Sequence, residues 1–228
     1  MSNEIKKEGI FAFYKPSGPS SARFLNTIKR QWDIPKRIKV GHGGTLDPLA
    51  EGVLVVAIGK EYTKQLSHTL KGTDKEYVVE MVLGYTSDTF DKEGDIVEMK
   101  NDKCLMSNVE EKDIKEAVEK VAKRKEQVPP AFSAVKVGGK RAYTLARKGE
   151  EVVLSPKSVE VKGIKLLTIE EINGDIHVKV RLITSSGFYV RSFVHDVGQE
   201  LGVGAYMDAL TRTRVGEYML DKAMRIEN

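Results

Sequence analysis

Residues 41–58 read GHGGTLDPLAEGVLVVAI, a polar, glycine-rich loop (41–52) that runs straight into the apolar strand 53–58. Gly43 and Gly44 permit positive backbone φ, and Asp47 followed by Pro48 is an extended or turn dipeptide. Together they are able to hold one carboxylate rigidly at the mouth of a strand. A phosphate-cradling nucleotide loop is excluded because no Gly-Lys-Ser/Thr follows the glycines. A dinucleotide fingerprint is excluded as well, since the third glycine is missing and a strand follows where a helix is required.

Working outward, residues 9–15 (GIFAFYK) form a short apolar and aromatic run closed by Pro16, Gly18 and Pro19, which predicts a strand entering a turn. Ser20 or Ser21 then caps a helix whose expected inward face is Ala22, Leu25, Ile28 and Trp32. Past the loop, the pattern predicts a short helix over 62–70 and a strand over 75–83 with Tyr77, Val79, Met81 and Leu83 on one face. A loop over 84–94 and a strand over 95–99 follow. Ser107 with Glu110 suggests a capping box ahead of a helix carrying Ile114, Ala117, Val118 and Val121. After Pro129 and Pro130, strand-like segments are expected at 132–137, 152–154, 159–169 and 176–184. Short and long helices are expected at 141–147 and 188–201, and residues 206–220 give mixed signals. Strands and helices do not alternate one for one, so the expected fold class is α+β, a mixed and mostly antiparallel sheet flanked by helices.

Composition narrows the function classes. The 228 residues carry 37 basic and 33 acidic side chains, a net charge of +4, with 40% hydrophobic residues, enough for a buried core. The longest apolar run has six residues, against roughly 20 for a membrane span. The polar N-terminus lacks the pattern of a secretory signal. One cysteine, Cys104, and four scattered histidines provide neither an internal disulfide nor a zinc spacing. A reducing, cytoplasmic compartment is therefore expected. The charge is unevenly spread: residues 23–42 hold six basic side chains and one acid, and residues 136–148 hold five basic side chains and no acid. These stretches, with Lys29, Arg30, Lys36, Arg37, Lys140 and Arg141 among them, are either a plain solvated surface or the footprint of a polyanion.

Three candidate positions stand out. Asp47 is either a turn residue or a catalytic carboxylate. In residues 186–191 (SGFYVR), Phe188 and Tyr189 either fill the core at a helix start, or Tyr189 stacks on a planar ligand while Arg191 neutralises a buried acid. Tyr77 lies on the apolar face of its strand, where core filling is the ordinary role of a tyrosine.

The chain resembles the TruB family of tRNA pseudouridine synthases from about residue 9 to residue 214. The resemblance is carried by FYKPSGPSS (13–21), GHGGTLDPLAEGVL (41–54), KEYVVEMVLGYTSDTFD (75–91), FSAVKVGGKRAY (132–143), GFYVRSFVHDVG (187–198) and LGVGAYMDALTRTRVG (201–216). It implies the pseudouridine synthase catalytic fold and conversion of uridine to pseudouridine in the T-loop of tRNA, at position 55, without metal or organic cofactor. By that resemblance Asp47 is the catalytic aspartate and Tyr77 stacks on the target base. Arg191 pairs with the catalytic carboxylate, Tyr189 contacts substrate, Leu210 lines the uracil pocket, and His42 is associated with the extruded nucleotide. Longer members continue into an RNA-binding domain of the PUA type, whereas only eighteen residues follow Leu210 here. A single catalytic domain over 1–228 is expected, acting as a monomer with tRNA as its partner and no obligate protein partner. The rival readings are a related synthase with another RNA target and a tRNA-binding folding factor.

Overall fold

The computed structural model describes residues 8–99 and 109–226. In chain order the elements are β1 (Gly9–Lys15), α1 (Ser21–Gln31), β2 (Val40–Gly43), β3 (Glu51–Ile58), α2 (Lys60–Thr69) and β4 (Lys75–Leu83). They continue with β5 (Tyr85–Ser87), β6 (Ile96–Glu98), α3 (Glu111–Ala122), β7 (Glu126–Gln127), β8 (Lys136–Val137), β9 (Lys140–Arg141) and α4 (Ala142–Ala146). The last are β10 (Lys157–Ser158), β11 (Val161–Ile172), β12 (Asp175–Thr184), α5 (Val190–Leu201), β13 (Ala205–Val215) and β14 (Tyr218–Met219). Two compact units result, Met1–Tyr77 with Leu210–Asn228, and Val78–Ala209. The strands are parallel and antiparallel and carry packed helices, so the α+β expectation holds.

The first unit is organised on β3. Along one edge β1 runs antiparallel, from Gly9 opposite Ile58 to Lys15 opposite Gly52. The other edge is shared: β2 pairs antiparallel with Val55 to Ile58, and β13 joins in parallel at Glu51 and Gly52. Alternate residues of β3 enter two cores. Leu54, Val56 and Ile58 pack with Phe13, Phe24, Leu25 and Ile28, while Val53, Val55 and Ala57 pack with Leu66, Leu70 and Val215. Burial on both faces is why this strand reads as an unbroken apolar run rather than an alternating one.

Helix α1 starts where the sequence predicts, with Ser20 Oγ accepting from the Arg23 N–H at 3.2 Å. Its buried face is Ser21, Phe24, Leu25 and Ile28, so the expected inward Ala22 is replaced by Phe24, and Ala22 is exposed. Ala22 lies one helical step off the stripe that the other four define. Trp32 caps the helix C-terminus and meets Phe11 and Phe13 edge-on, at 5.3 and 5.0 Å between ring centroids.

In the second unit, β11 and β12 form a long antiparallel hairpin closed by Asn173 and Gly174, with φ of 54° and 90°. Positive φ at both turn residues matches the right-handed twist of the flanking strands. Helices α3 and α5 bury Ile114, Val118, Val121, Phe193, Val194 and Val197. Lys120 of α3 and Arg124 just beyond it form ion pairs with Asp196 and Glu200 of α5. The capping residue of α3 is Glu110, whose N–H donates to the Asp113 carboxylate at 3.0 Å; Ser107 lies outside the described residues. The strand expected at 152–154 does not form, and Val153 is 81% exposed, because apolar β-branched residues make a strand only where a partner edge is present. Residues 206–220, ambiguous in sequence, belong mostly to the single strand β13.

Leu54 has no exposed surface and sits between β1 and α1. Leu54→Ala is expected to lower the unfolding free energy by about 2–5 kcal/mol, read from the urea midpoint at unchanged m-value.

Candidate active site

Asp47 lies in the segment between β2 and β3, where the edge of β3 passes from one partner to the other. The Ala50 N–H donates to the Asp47 carbonyl at 3.1 Å, closing a β-turn with Pro48 at its second position. The segment 15–21 clamps this turn. Lys15, with no exposed surface, donates through Nζ to the carbonyls of Pro16, Pro48 and Ala50 at 2.9, 3.3 and 2.6 Å. The Gly18 N–H reaches the Pro48 carbonyl at 2.8 Å. Ser21 Oγ donates to the Leu46 carbonyl and accepts from the Leu46 N–H, both at 2.9 Å. Leu46 and Leu49 are buried on either side of the half-buried Asp47 and Pro48. The carboxylate is therefore carried on backbone pinned at Leu46, Pro48 and Ala50, an arrangement suited to a group that must not reorient during reaction.

The other candidates of this unit sit on strands. His42 is half-buried on β2, and its Nδ1 is buried with no hydrogen-bond partner among the described residues. Burial, and then the Arg212 charge, push the His42 ring below the ordinary histidine value, against a smaller opposing effect of the Gly44 backbone. Tyr77 on β4 and Leu210 on β13 are each 7% exposed. Arg212, two residues beyond Leu210, is 1% exposed and donates from Nε to the Val53 carbonyl at 2.8 Å and from Nη2 to the Gly44 carbonyl at 3.0 Å. It thus ties the start of the Asp47 segment to β3. Gly52 completes the junction: a Cβ there would fall 2.2 Å from the Arg212 carbonyl oxygen, so only glycine lets β13 approach.

In the second unit, Tyr189 is the N-cap residue of α5 and Arg191 stands in its first turn. Gln127 holds the Tyr189 backbone from both sides, accepting from its N–H at 2.8 Å and donating to its carbonyl at 2.9 Å. Arg191 is 7% exposed and donates to the carbonyls of Thr89 and Phe132, each at 3.0 Å. Its Nη1 lies 3.5 Å from Oδ2 of Asp91, itself 3% exposed. The Asp91 carboxylate also accepts from Thr89 Oγ1 at 2.6 Å and from the Glu93 N–H at 3.0 Å. Within this unit the acid that Arg191 faces is Asp91.

The basic candidates are surface groups. Lys29 and Arg30 occupy the last turn of α1, half-buried and exposed respectively, and Lys36 and Arg37 are exposed in the following loop. Lys140 and Arg141 are exposed on β9, with Arg141 donating to the Ala134 carbonyl at 2.6 Å.

Comparison with known proteins shows the family. Residues 30–190 match the model for the TruB family pseudouridylate synthase N-terminal domain, and residues 191–228 match the tRNA pseudouridylate synthase B C-terminal domain. The chain belongs to the TruB family of pseudouridylate synthases. It is 41% identical over 219 residues to tRNA pseudouridine synthase B of Mycobacterium sp. (strain KMS), covering 96% of this chain and 71% of that one. Identity to tRNA pseudouridine synthase B of Phocaeicola vulgatus is 40%, over 97% of this chain and 92% of the relative. Among solved structures, a Cbf5-Nop10-Gar1 complex matches with a TM-score of 0.67 and 30% identity, over 96% of this chain and 52% of its counterpart. An H/ACA RNP bound to a substrate RNA containing 2'-deoxyuridine matches with a TM-score of 0.62 and 28% identity, over 95% and 50%. The chain thus spans about half the length of these solved chains.

Sequence reading did not single out Lys15, Asp91 or Arg212. Lys15 had a local signal, a lysine ending an apolar strand before two prolines, but lysines are so seldom buried that exposure is the default reading. Asp91 sits in a loop whose other acids are surface groups, and only the fold selects it.

Lys15→Met keeps the apolar stem and leaves the Pro16, Pro48 and Ala50 carbonyls without this donor; the unfolding free energy is expected to fall by about 2–5 kcal/mol in urea titration. Because His42 is depressed, the unfolded chain takes up its proton at higher pH than the folded one. Its contribution to stability is therefore full above the ordinary value of 6.5 and is lost as pH falls through the folded value. The His42 ring resonances are expected to titrate with a midpoint below 6.5, and a midpoint at or above it contradicts the burial argument.

Proposed function

We propose that this chain isomerises uridine to pseudouridine at position 55 in the T-loop of tRNA, with Asp47 as its catalytic group. The observation that carries the reading is the pinned turn of Asp47, one carboxylate on immobilised backbone in a member of a pseudouridylate synthase family. The reaction breaks the bond from N1 to C1′ of the nucleoside and forms one from C5 to C1′. The proton on C5 is lost and N1 gains one, so the atoms and oxidation state of the product equal those of the reactant. An aspartate serves this chemistry as a nucleophile that later leaves, or as a base at the sugar, provided it is ionised. Arg191 enters this reading only as the family resemblance assigns it, as a guanidinium that favours a carboxylate's charged form.

A stacked base cannot be reached at C1′, so the nucleotide is everted at a cost of a few kcal/mol. Stacking on an aromatic ring returns about 1–3 kcal/mol. Tyr77, with His42, Tyr189 and Leu210, is assigned to receive the base. The two basic stretches hold the phosphates. The single chain suffices for turnover, as a cytoplasmic monomer; among the described residues no helix is long and apolar enough to cross a membrane.

The test is incubation with an unmodified tRNA transcript followed by pseudouridine mapping. Wild-type protein is expected to convert position 55, and Asp47→Asn to lose at least about 10³-fold in turnover while still binding RNA. Product from Asp47→Asn at the wild-type rate would falsify the assignment.

A further inference from the structure

We infer that Gly44, Lys75 and Arg212 form a seat for one phosphodiester of the bound RNA, next to the position assigned above to the target base. The inference rests on that assignment of Tyr77 and Leu210, and it concerns a contact to the backbone rather than to the base.

Strand alternation places the groups. Thr213 Oγ1 donates to Glu76 Oε1 at 2.9 Å, and Thr211 Oγ1 donates to Glu51 Oε1 at 3.1 Å. Those side chains therefore share one face, which leaves Lys75 and Tyr77 of β4 with Leu210 and Arg212 of β13 on the opposite face. Lys75 precedes Tyr77 by two residues and Arg212 follows Leu210 by two. Each cation thus stands one same-face step, about 6–7 Å, along its strand from a group assigned to the base. A nucleotide bound by its base at Tyr77 and Leu210 carries its sugar and phosphate about that far away.

The two cations converge on a backbone without a side chain. Gly44 is exposed, with φ of +85°, and an ideal Cβ there would lie 3.4 Å from Arg212 Nη1 and 3.6 Å from Lys75 Cε. Nε and Nη2 of Arg212 serve the Val53 and Gly44 carbonyls, and Nη1 is the nitrogen on the Gly44 side. Glycine at this point therefore leaves the approach to both cations uncovered.

The local field has the sign for an anion. Arg212 pushes both His42 and Lys75 below their ordinary values, in each case after burial as the larger cause, and Asp74 is the acid that opposes it at Lys75. Arg212 and Lys75 bring two cationic side chains to Gly44, and phosphodiesters are the anions an RNA substrate carries. A seat of this kind would hold the everted nucleotide by its backbone and carry no base preference.

The experiment pairs a protein variant with single neutral linkages in the RNA. Lys75→Gln and wild-type protein are titrated with an unmodified T-arm hairpin, and with hairpins bearing one methylphosphonate at each linkage around the target uridine. Lys75→Gln is expected to raise Kd and KM about tenfold with kcat within about twofold, and to reduce the slope of log Kd against log salt by about 0.7–0.9, one phosphate's worth. One methylphosphonate is expected to weaken wild-type binding by a similar factor and to have no further effect on Lys75→Gln. Loss of kcat at unchanged KM overturns the inference, as do methylphosphonate penalties equal in both proteins. The wild-type scan stands without any variant: no penalty at any linkage beside the target also overturns it. The Kd, salt-slope and methylphosphonate readouts are binding measurements and hold with Asp47→Asn as well, so failure of Asp47 as the catalyst is read separately from failure of the seat.

Discussion

The turn that carries Asp47 depends on a buried ammonium. Lys15 is the last residue of β1, lies opposite Gly52 and has no exposed surface, yet its Nζ serves the Pro16 carbonyl and those of Pro48 and Ala50 just after Asp47. Burying a lysine is costly unless its donors are satisfied, and here the Pro16, Pro48 and Ala50 carbonyls satisfy them. What a hydrocarbon lacks is direction. Three carbonyls aimed at one nitrogen define where Pro48 and Ala50 lie, and the turn that carries Asp47 follows from them.

A second constraint acts at the divided edge of β3. There β2 departs and β13 arrives, and the approach is so close that Gly52 leaves no room for a Cβ beside Arg212. Arg212 uses this proximity to hold Val53 and Gly44 together. In the second unit the corresponding device is ionic: Asp91 and two carbonyls fix the Arg191 guanidinium at the start of α5. Both solutions immobilise a charged side chain by satisfying it from backbone groups, which removes most of the freedom that would otherwise blur a reactive geometry.

Much of this was legible in the residue order because local physics dominates there. The Ser20 cap, the glycine-rich approach to β3 and the alternation of β4 each follow from interactions a few residues apart. Failures occurred where a partner distant in sequence decides. Ala22 and Phe24 compete for one helix face, and the surface the helix packs on selects between them. Residues 152–154 have strand composition and no strand, since pairing is a property of two segments. Residues 206–220 look irregular alone and become β13 because neighbouring edges accept them.

From the residues alone came the α+β class, the loop that presents Asp47, the helix that presents Arg191 and, through resemblance, the family with its site assignments. These depend on short-range backbone preferences and on motif spacing, both of which are written in order along the chain. Tertiary structure alone decided which charges are buried and what they hold: Lys15 on the Asp47 turn, Arg212 on Gly44 and Val53, Asp91 on Arg191. A charged side chain is stable inside a protein only when groups from remote segments converge on it, and that convergence exists only once the chain has folded.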